Sequence, residues 1–271
     1  MERIGFIGLG NMGKPMAERL AGAGFAMTVL DLDPEPVADL VALGATAASS
    51  ARELAAASDI ICSVVMNDRQ TMEVMLDERD GVLAGATPGS LILIHSTISQ
   101  ETCNILAEAA GAKGVHVVDA AVSGAEARAR EGTLTLMVGG DAAQVERARP
   151  LFDAVGSQTY HMGALGMGQA AKICNNLMCL VNVQVAEEAL RLARAAGIDE
   201  AVMRQVALDS SGQSWVLGNL DAMRALAGVH TGGKADMSIL GRKDISLASK
   251  LAARIGEPAP ITDFVFDRMK K

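Results

Sequence analysis

Lys172 and Asn176 stand four residues apart in an apolar stretch that follows the glycines at 163, 166 and 168. On a helix, residues at this spacing lie one above the other on the same face. An ammonium group beside a carboxamide could transfer protons, because desolvation lowers the pKa of a lysine toward neutrality. Alternatively, Lys172 only extends along an apolar surface to reach solvent, and the pair alone does not decide. Asn175 lies about 100° round the helix and is interpreted as structural.

A glycine-rich turn near the amino terminus predicts a nucleotide site. Gly8, Gly10 and Gly13 follow an apolar run at 3–7 and precede an alanine- and leucine-rich segment at 14–24, so a GxGxxG pattern lies between a predicted strand and a predicted helix. The first glycine permits the turn, the second lets the backbone approach a pyrophosphate, and the third lets the helix pack closely on the strand. The N–H groups that begin this helix favour phosphate.

Asp31 supports this interpretation because it follows a second apolar run, 26–30, about 20 residues beyond the glycines. A carboxylate there binds the ribose hydroxyls and repels a 2′-phosphate, so NAD is predicted and NADP is less favoured. Asp33 could share this role, but it is interpreted as a solvated loop acid. The predicted cofactor is therefore NAD.

Apolar runs then alternate with helical segments, which predicts a doubly wound parallel sheet, an α/β Rossmann domain. Further strands are predicted at 60–65, 91–94, 115–118 and 133–138, and one amphipathic helix at 142–155. Ligands bind beyond the carboxyl ends of such strands. The candidate strand ends are Val65-Met66, Ser96-Thr97 and 119–124.

A composition shift near residue 163 is taken as a domain boundary, which divides the chain into domains 1–163 and 164–271. From 168 to 196 the sequence predicts one long helix of about eight turns that leads into an all-α domain. This helix is so apolar that we expect it to be buried between domains or subunits.

Several motifs occur together in a recognisable order. They are the glycine fingerprint, Ser-Thr-Ile-Ser at 96–99, Asp-Ala-Ala-Val-Ser-Gly-Ala at 119–125, Gly-Thr-Leu-Thr-Leu-Met-Val-Gly-Gly at 132–140 and the stretch around Lys172. In these motifs the chain resembles the β-hydroxyacid dehydrogenases, most closely their 3-hydroxyisobutyrate branch, from residue 4 to about residue 250. The resemblance implies that Lys172 is the catalytic lysine and that Asn176 binds substrate.

The resemblance also implies roles for residues that their own patterns leave open. A turn such as Ser123-Gly124 is suited to bind a carboxylate, yet most such turns are only turns; Trp215 could equally belong to a core, and Lys243 to a solvated helix face beside Arg242. The implied substrate-binding residues are Ser123, Gly124, Ala125 and Trp215. The implied cofactor-binding residues are Gly8, Gly10, Asn11, Met12, Gly13, Asp31, Val65, Met66, Thr97 and Lys243.

This chain departs from the family pattern at several places. Near the expected cofactor, Val65-Met66 stands where Leu-Pro is common, which changes packing more than chemistry. Near the expected substrate, Ala121 replaces a usual proline, Ala125 a usual glycine and Asp236 a usual aromatic residue. The sequence also ends at Lys271, before the usual last helix and tail. These departures leave the identity of the substrate open.

The expected activity is interconversion of a small 3-hydroxy acid, similar to 3-hydroxyisobutyrate, and its semialdehyde or keto acid, with lysine as acid and base. Reduction of a semialdehyde of the tartronate type is an alternative on the same fold. Imine reduction is disfavoured because imine reductases of this fold usually lack the lysine. A non-catalytic nucleotide-binding module is a further alternative, which the set of Lys172, Asn176 and Ser123 disfavours.

Composition excludes several other classes of function. A net charge of -8 and a pI near 5.1 argue against a nucleic-acid partner. The sequence has no signal-peptide pattern, no apolar run near the ~18 residues of a membrane span and no Cys/His metal spacing. We therefore expect a cytoplasmic, metal-free enzyme that forms a homodimer or homotetramer through its all-α domain.

Overall fold

The computed structural model describes residues 2–226 and 237–269. By its internal contacts the chain divides into two compact units, Met1–Lys172 and Ile173–Lys271. Asp236, where the family usually has an aromatic residue, lies outside the described residues.

The first unit is an eight-stranded sheet with helices on both faces. Its strands are β1 (Ile4–Ile7), β2 (Met27–Leu30), β3 (Thr46–Ala47), β4 (Ile60–Ser63), β5 (Leu91–Ile94), β6 (His116–Ser123), β7 (Leu134–Gly139) and β8 (Gly156–Gly163). Its helices are α1 (Gly13–Gly22), α2 (Pro34–Ala42), α3 (Ala51–Ala56), α4 (Asp68–Leu76), α5 (Val82–Gly85), α6 (Gln100–Gly111), α7 (Ala125–Glu131), α8 (Ala142–Arg147) and α9 (Arg149–Val155). This confirms the predicted α/β Rossmann class.

The strand order is β3-β2-β1-β4-β5-β6-β7-β8. Strands β2 and β3 are added on one side of β1 and the later strands on its other side, so the order of addition changes direction between β1 and β4. The loops that follow these two strands lie side by side, and this is where dinucleotides bind in such sheets. Alternate residues of β4 face opposite sides: Ile60 and Cys62 belong to one apolar cluster, with α1 and α9, and Ile61 to the other, with α3 and α6. The core therefore lies on both faces of the sheet.

The prediction of a wholly parallel sheet is wrong for its last two strands. β7 runs antiparallel to β6, and β8 runs parallel to β7. The connection between β6 and β7 spans only residues 124–133 and contains the short helix α7. A parallel crossover needs a dozen or more residues, so this connection can only return the chain as an antiparallel neighbour.

Strand β6 is longer than predicted and includes residues 119–123, which the sequence placed after the strand. Asp119 pairs with Ile94 at the end of β5 and with Gly139 of β7. The residues from 120 to 123 then continue beside β7, ending with Ser123 opposite Thr135. Asp119 thus lies level with the carboxyl end of β5, inside the sheet.

Other local differences also have physical explanations. The helix predicted at 142–155 is two helices, α8 and α9, because Pro150 lacks an N–H group and begins a new helix. The edge strand β8 was not predicted, since its side chains are mostly exposed and polar and show no apolar alternation. Strand β3 and helix α7 were also not predicted.

Helix α10 (Met167–Ala195) begins in the first unit and continues into the second. The second unit also contains α11 (Glu200–Leu208), α12 (Trp215–Gly218), α13 (Leu220–Leu226), α14 (Met237–Ile255) and α15 (Pro260–Met269). Leu190 of α10 packs with Val216, Leu217 and Leu220 in an apolar cluster. Along α10, Met178, Val185 and Leu192 are 61%, 59% and 63% exposed in the single chain. Across the described residues, no helix is both long and apolar enough to cross a membrane.

Candidate active site

The turn between β1 and α1 requires two of its three glycines for its own shape. Gly8 has a φ of +91°, and a Cβ there would lie 2.3 Å from the carbonyl oxygen of Val64. A Cβ at Gly13 would lie 1.8 Å from the carbonyl oxygen of Gly8. Because glycine has no side chain, Gly8 lets the turn pack against the loop after β4, and Gly13 lets α1 pack against the turn.

Gly10 differs, because a Cβ there would meet no described atom within 4 Å. Its bare backbone leaves this side of the turn open to a close ligand. No described side chain caps the start of α1, where Met12 is the N-cap residue. Lys14 donates its N–H to the carbonyl oxygen of Gly10 at 3.0 Å. The uncapped start of a helix beside a bare glycine fits a pyrophosphate.

Asp31 joins the end of β2 to the glycine turn. One oxygen of its carboxylate accepts the backbone N–H of Leu9, and the other accepts the N–H of Asp33 at 2.8 Å. Asp33 is exposed, as expected of a loop acid, and it also caps α2 by accepting the N–H of Glu35 at 3.0 Å. A carboxylate offers about four acceptor sites, so Asp31 retains capacity for ribose hydroxyls.

The loops that carry Val65, Met66 and Thr97 are fastened to each other and to nearby helices. The N–H of Val65 donates to the hydroxyl of Ser96 at 2.9 Å, and the N–H of Met66 donates to Oε1 of Gln70 at 2.9 Å. The loop after β4 is thereby joined to the loop after β5. Asp68 reinforces this connection because it accepts the N–H of Ser99 at 2.9 Å.

His95 follows β5 and is buried, with Nδ1 2.8 Å from the carbonyl oxygen of Ala120. Burial lowers the pKa of its imidazole to about 4, and the hydrogen bond to Ala120 only partly offsets this. His95 is therefore neutral near pH 7 and joins β5 to β6.

Asp119 is a fully buried acid to which the sequence assigned no role. Its Oδ1 accepts the N–H of Gly166 at 2.6 Å and its Oδ2 the N–H of Gln169 at 2.7 Å, with Gly168 as a further backbone donor. Burial raises the pKa of its carboxyl to about 6, although these donors lower it in part. The carboxylate thus holds the start of α10 against the sheet.

The close fit around Asp119 explains two glycines. A Cβ at Gly139 would lie 2.5 Å from Oδ1 of Asp119, and a Cβ at Gly168 would lie 2.7 Å from Oδ2. Any side chain at either position would push α10 away from the carboxylate.

Gln169 is a second buried polar residue that the sequence interpretation missed. Its Oε1 accepts the N–H of Ile98 at 3.0 Å, and its Nε2 donates to the carbonyl oxygen of Ser96 at 2.8 Å. The side chain is fully buried. A glutamine inside an alanine-rich helical run is the sequence signal that could have identified it, because buried polar groups need partners.

Lys172 lies three residues beyond Gln169 on α10 and is only 8% exposed. The alternative in which its side chain follows an apolar surface into solvent is therefore not supported. Both Lys172 and Gln169 belong to the first unit, as do the loops after β4 and β5.

The turn predicted to bind a carboxylate lies at the end of β6. Ser123 is the last strand residue, Gly124 has a φ of +136°, and Ala125 begins α7 with a φ of +58°. Among the described residues, Ala125 is the only residue other than glycine with a positive φ. It therefore adopts the backbone conformation that suits the glycine usual in the family.

In the second unit, Asn176 is held by a chain of polar contacts. Its Nδ2 donates to Oδ2 of Asp244 at 2.7 Å, and its Oδ1 accepts from Nδ2 of Asn175 at 3.2 Å. Lys243 forms an ion pair with Oδ1 of Asp244 at 2.9 Å, and its side chain is only 19% exposed. Lys243 is thus not a solvated helix charge. The sequence interpretation did not single out Asp244, which joins both residues.

Trp215 begins α12, and its side chain is 56% exposed. The next two residues, Val216 and Leu217, are the ones that enter the apolar cluster. The core-packing alternative for Trp215 is therefore wrong.

A doubly wound sheet with a glycine-rich turn after β1 and an acid after β2 defines a dinucleotide-binding protein. Residues 3–163 match the family model of the NAD binding domain of 6-phosphogluconate dehydrogenase. Residues 166–271 match a second family model, which is described as NAD-binding of NADP-dependent 3-hydroxyisobutyrate dehydrogenase.

Individual relatives agree with these matches. The chain is 39% identical to an NAD-dependent L-serine dehydrogenase of Pseudomonas aeruginosa, over 96% of this chain and 89% of that protein. It is 42% identical to a 3-hydroxyisobutyrate dehydrogenase of the same organism, over 80% of this chain and 72% of that protein. A solved structure of Mycobacterium tuberculosis 3-hydroxyisobutyrate dehydrogenase with L-serine superposes with a TM-score of 0.85 at 31% identity, covering 100% of this chain and 93% of that one. The chain therefore belongs to the β-hydroxyacid dehydrogenase family, and it is an oxidoreductase that uses NAD to act on a hydroxyacid.

Proposed function

We propose that this enzyme interconverts a small 3-hydroxy acid, similar to 3-hydroxyisobutyrate, and its semialdehyde or keto acid, with Lys172 as the acid and base. The burial of Lys172 carries this proposal, because an amine kept from bulk water can exchange its proton with a bound substrate. On oxidation the substrate hydroxyl gives its proton to Nζ of Lys172, and on reduction Nζ returns it. When bound, NAD would supply the hydride-accepting chemistry for the hydroxyl carbon.

The remaining residues bind and orient the substrate. Ser123, Gly124 and Ala125 offer a hydroxyl and backbone N–H groups that suit the substrate carboxylate. Asn176 uses one N–H of its carboxamide for Asp244 and has a second N–H with which to bind the reacting oxygen. Trp215 is proposed to shape the pocket, since its ring stays outside the core of the second unit.

The proposed cofactor contacts follow the turns and loops described above. Gly8, Gly10, Asn11, Met12 and Gly13 would hold the pyrophosphate, Asp31 the adenosine ribose, and Val65, Met66, Thr97 and Lys243 the rest of NAD. The open side of Gly10 supports the first assignment and the spare acceptor sites of Asp31 support the second.

The test is a Lys172→Ala variant assayed with NAD on 3-hydroxyisobutyrate, L-serine and related 3-hydroxy acids. We expect turnover to fall by ~10²-fold or more while NADH binding stays normal, because only proton transfer is lost. Lys250→Ala, which removes an exposed lysine of α14, is the matched control. Near-normal turnover in Lys172→Ala would exclude the acid–base role.

The same assay, run backwards with NADH, tests the semialdehyde alternative. If tartronate semialdehyde is reduced with a higher kcat/KM than any 3-hydroxy acid is oxidised, the enzyme works as a reductase of that type. If no NAD- or NADP-linked turnover occurs with any compound of either panel, the proposed class of substrate is wrong.

We also propose that the protein is a cytoplasmic homodimer or homotetramer, assembled through its helical unit. The support is the row of exposed apolar side chains on α10, Met178, Val185 and Leu192, which recur every seven residues. Light scattering after size exclusion would give the mass. Leu192→Glu is expected to lower it toward that of the monomer.

A further inference from the structure

The side chain of Gln169 forms hydrogen bonds with the peptide groups on both sides of Thr97. Its amide accepts the N–H of Ile98 and donates to the carbonyl oxygen of Ser96, at 3.0 and 2.8 Å. The two contacts use both ends of one carboxamide. The loop after β5 therefore cannot move along or away from α10 without breaking at least one of them.

The backbone of Gln169 is fixed as firmly as its side chain. Its N–H donates to Oδ2 of Asp119 at 2.7 Å, while Gly166 donates to the other carboxylate oxygen at 2.6 Å. Asp119 lies inside β6 and is fully buried. The orientation of the first turn of α10 is therefore set from the sheet.

Lys172 follows Gln169 by three residues, so the two are neighbours on the surface of α10. Thr97 is the proposed cofactor contact, and it lies between the two residues whose peptide groups Gln169 holds. A single buried side chain thus connects the loop that contacts the cofactor to the helix turn that carries the lysine.

We propose that Gln169 is a positioning residue, which holds Lys172 in register with the Thr97 loop so that proton and hydride transfer occur in one geometry. The inference rests on the proposed role of Lys172. It assigns Gln169 no contact with substrate or cofactor. A misplacement of about 1 Å can cost about 10²-fold in rate, so this coupling is kinetically important.

The competing explanation is that Gln169 only satisfies buried polar groups and contributes stability. Gln100 offers a matched control, because it is also a buried glutamine whose Nε2 donates to a backbone carbonyl, that of Gly166, at 2.8 Å. It connects α6 to the approach of α10, and its hydrogen bond uses Gly166 instead of the peptide groups of Ser96 and Ile98. Removing either amide leaves a buried backbone carbonyl unpaired, so both variants are expected to melt at a lower temperature than the wild type.

The experiment compares Gln169→Met and Gln100→Met in the 271-residue chain, with whichever of 3-hydroxyisobutyrate and L-serine the wild type oxidises faster. We measure the melting temperature, the Kd for NADH by fluorescence, kcat, and kcat/KM against pH. For Gln169→Met we expect kcat to fall by about 10- to 100-fold, NADH affinity to change less than about threefold, and the pH limb of kcat/KM to move. Gln100→Met removes one hydrogen bond where Gln169→Met removes two, so we expect a smaller loss of thermal stability and a kcat within about twofold of wild type.

Gln169→Glu is the second variant, in case Gln169→Met does not fold. It keeps an acceptor for Ile98 but sets a carboxylate oxygen against the carbonyl of Ser96, so the same loss of kcat is expected. A kcat within twofold of wild type in a folded Gln169 variant would overturn the inference. So would equal losses of kcat in the Gln169 and Gln100 variants with an unmoved pH limb. If Lys172→Ala remains active, the proposed function itself fails; if Lys172→Ala is inactive and Gln169→Met is normal, only the positioning role fails.

Discussion

The carboxylate of Asp31 accepts the backbone N–H of Leu9, so the acid at the end of β2 holds the glycine turn that follows β1. Asp31 thereby has a structural contact in addition to its proposed contact with ribose. Replacement of this acid is expected to change both the turn and the choice of cofactor.

For Asp31→Asn we expect the ratio of kcat/KM with NADP to that with NAD to rise by about tenfold or more. Loss of the negative charge removes repulsion of a 2′-phosphate, and like charges in contact cost several kcal/mol. We also expect weaker use of NAD, because a carboxamide nitrogen cannot accept the N–H that a carboxylate oxygen accepts. Initial rates with both cofactors give the ratio.

Asp33→Asn is the control for this change. Asp33 caps α2, and asparagine is an equally good cap, so the cofactor ratio should stay within about twofold. An equal shift in both variants would mean that general acidity near the turn, rather than Asp31, selects NAD.

Ala125→Gly is expected to stabilise the protein by up to about 1 kcal/mol. Ala125 has a φ of +58°, a conformation that costs an L-residue roughly 1–2 kcal/mol and costs glycine little. The greater freedom of glycine in the unfolded chain offsets part of this gain. Urea unfolding gives the difference in the free energy of unfolding.

The matched control is Ala127→Gly, two residues further along α7 at an exposed helical position. There glycine should destabilise by about 1 kcal/mol, which is the opposite sign. Destabilisation at both positions would contradict the backbone argument for Ala125.

The third prediction concerns pH. Because burial lowers the pKa of His95 from 6.5 to about 4, the unfolded chain takes up the proton first as the pH falls. The stabilising effect of the neutral imidazole is complete above pH 6.5 and is lost between 6.5 and 4, by up to about 3 kcal/mol. The free energy of unfolding of wild type should therefore fall over this range relative to that of His95→Gln.

The measurement is urea unfolding of both proteins at several pH values between 4 and 7.5. His116→Gln, which replaces an exposed histidine of β6, is the control. Parallel curves for wild type and His95→Gln would show that His95 does not titrate differently in the folded state.

Local patterns predicted the nucleotide half of this molecule well. The order of β1, the glycine turn, α1, β2 and Asp31 depends on apolar periodicity and on glycine chemistry, both of which are visible within about 30 residues. The long helix α10 was predicted to within one residue at each end, because a run without proline or internal glycine leaves few alternatives.

What the sequence did not predict depends on residues that are distant in the chain. Asp119 and Gln169 are 50 residues apart and meet only because β6 and α10 meet. Asp244 lies 68 residues from Asn176, its partner. A buried polar side chain inside an apolar run signals that a partner exists, but only the fold shows which one.

The carboxylate of Asp119 has a consequence for dividing this protein into parts. The family models meet between residues 163 and 166, yet the N–H groups that satisfy Asp119 come from Gly166, Gly168 and Gln169. A chimera joined at residue 163 would take those backbone donors from a foreign segment. Any displacement of that segment would leave the buried carboxylate unpaired, and an unpaired buried charge costs about 3–5 kcal/mol. Recombination with a relative should therefore cross over after residue 172, so that the acid and its donors are inherited together.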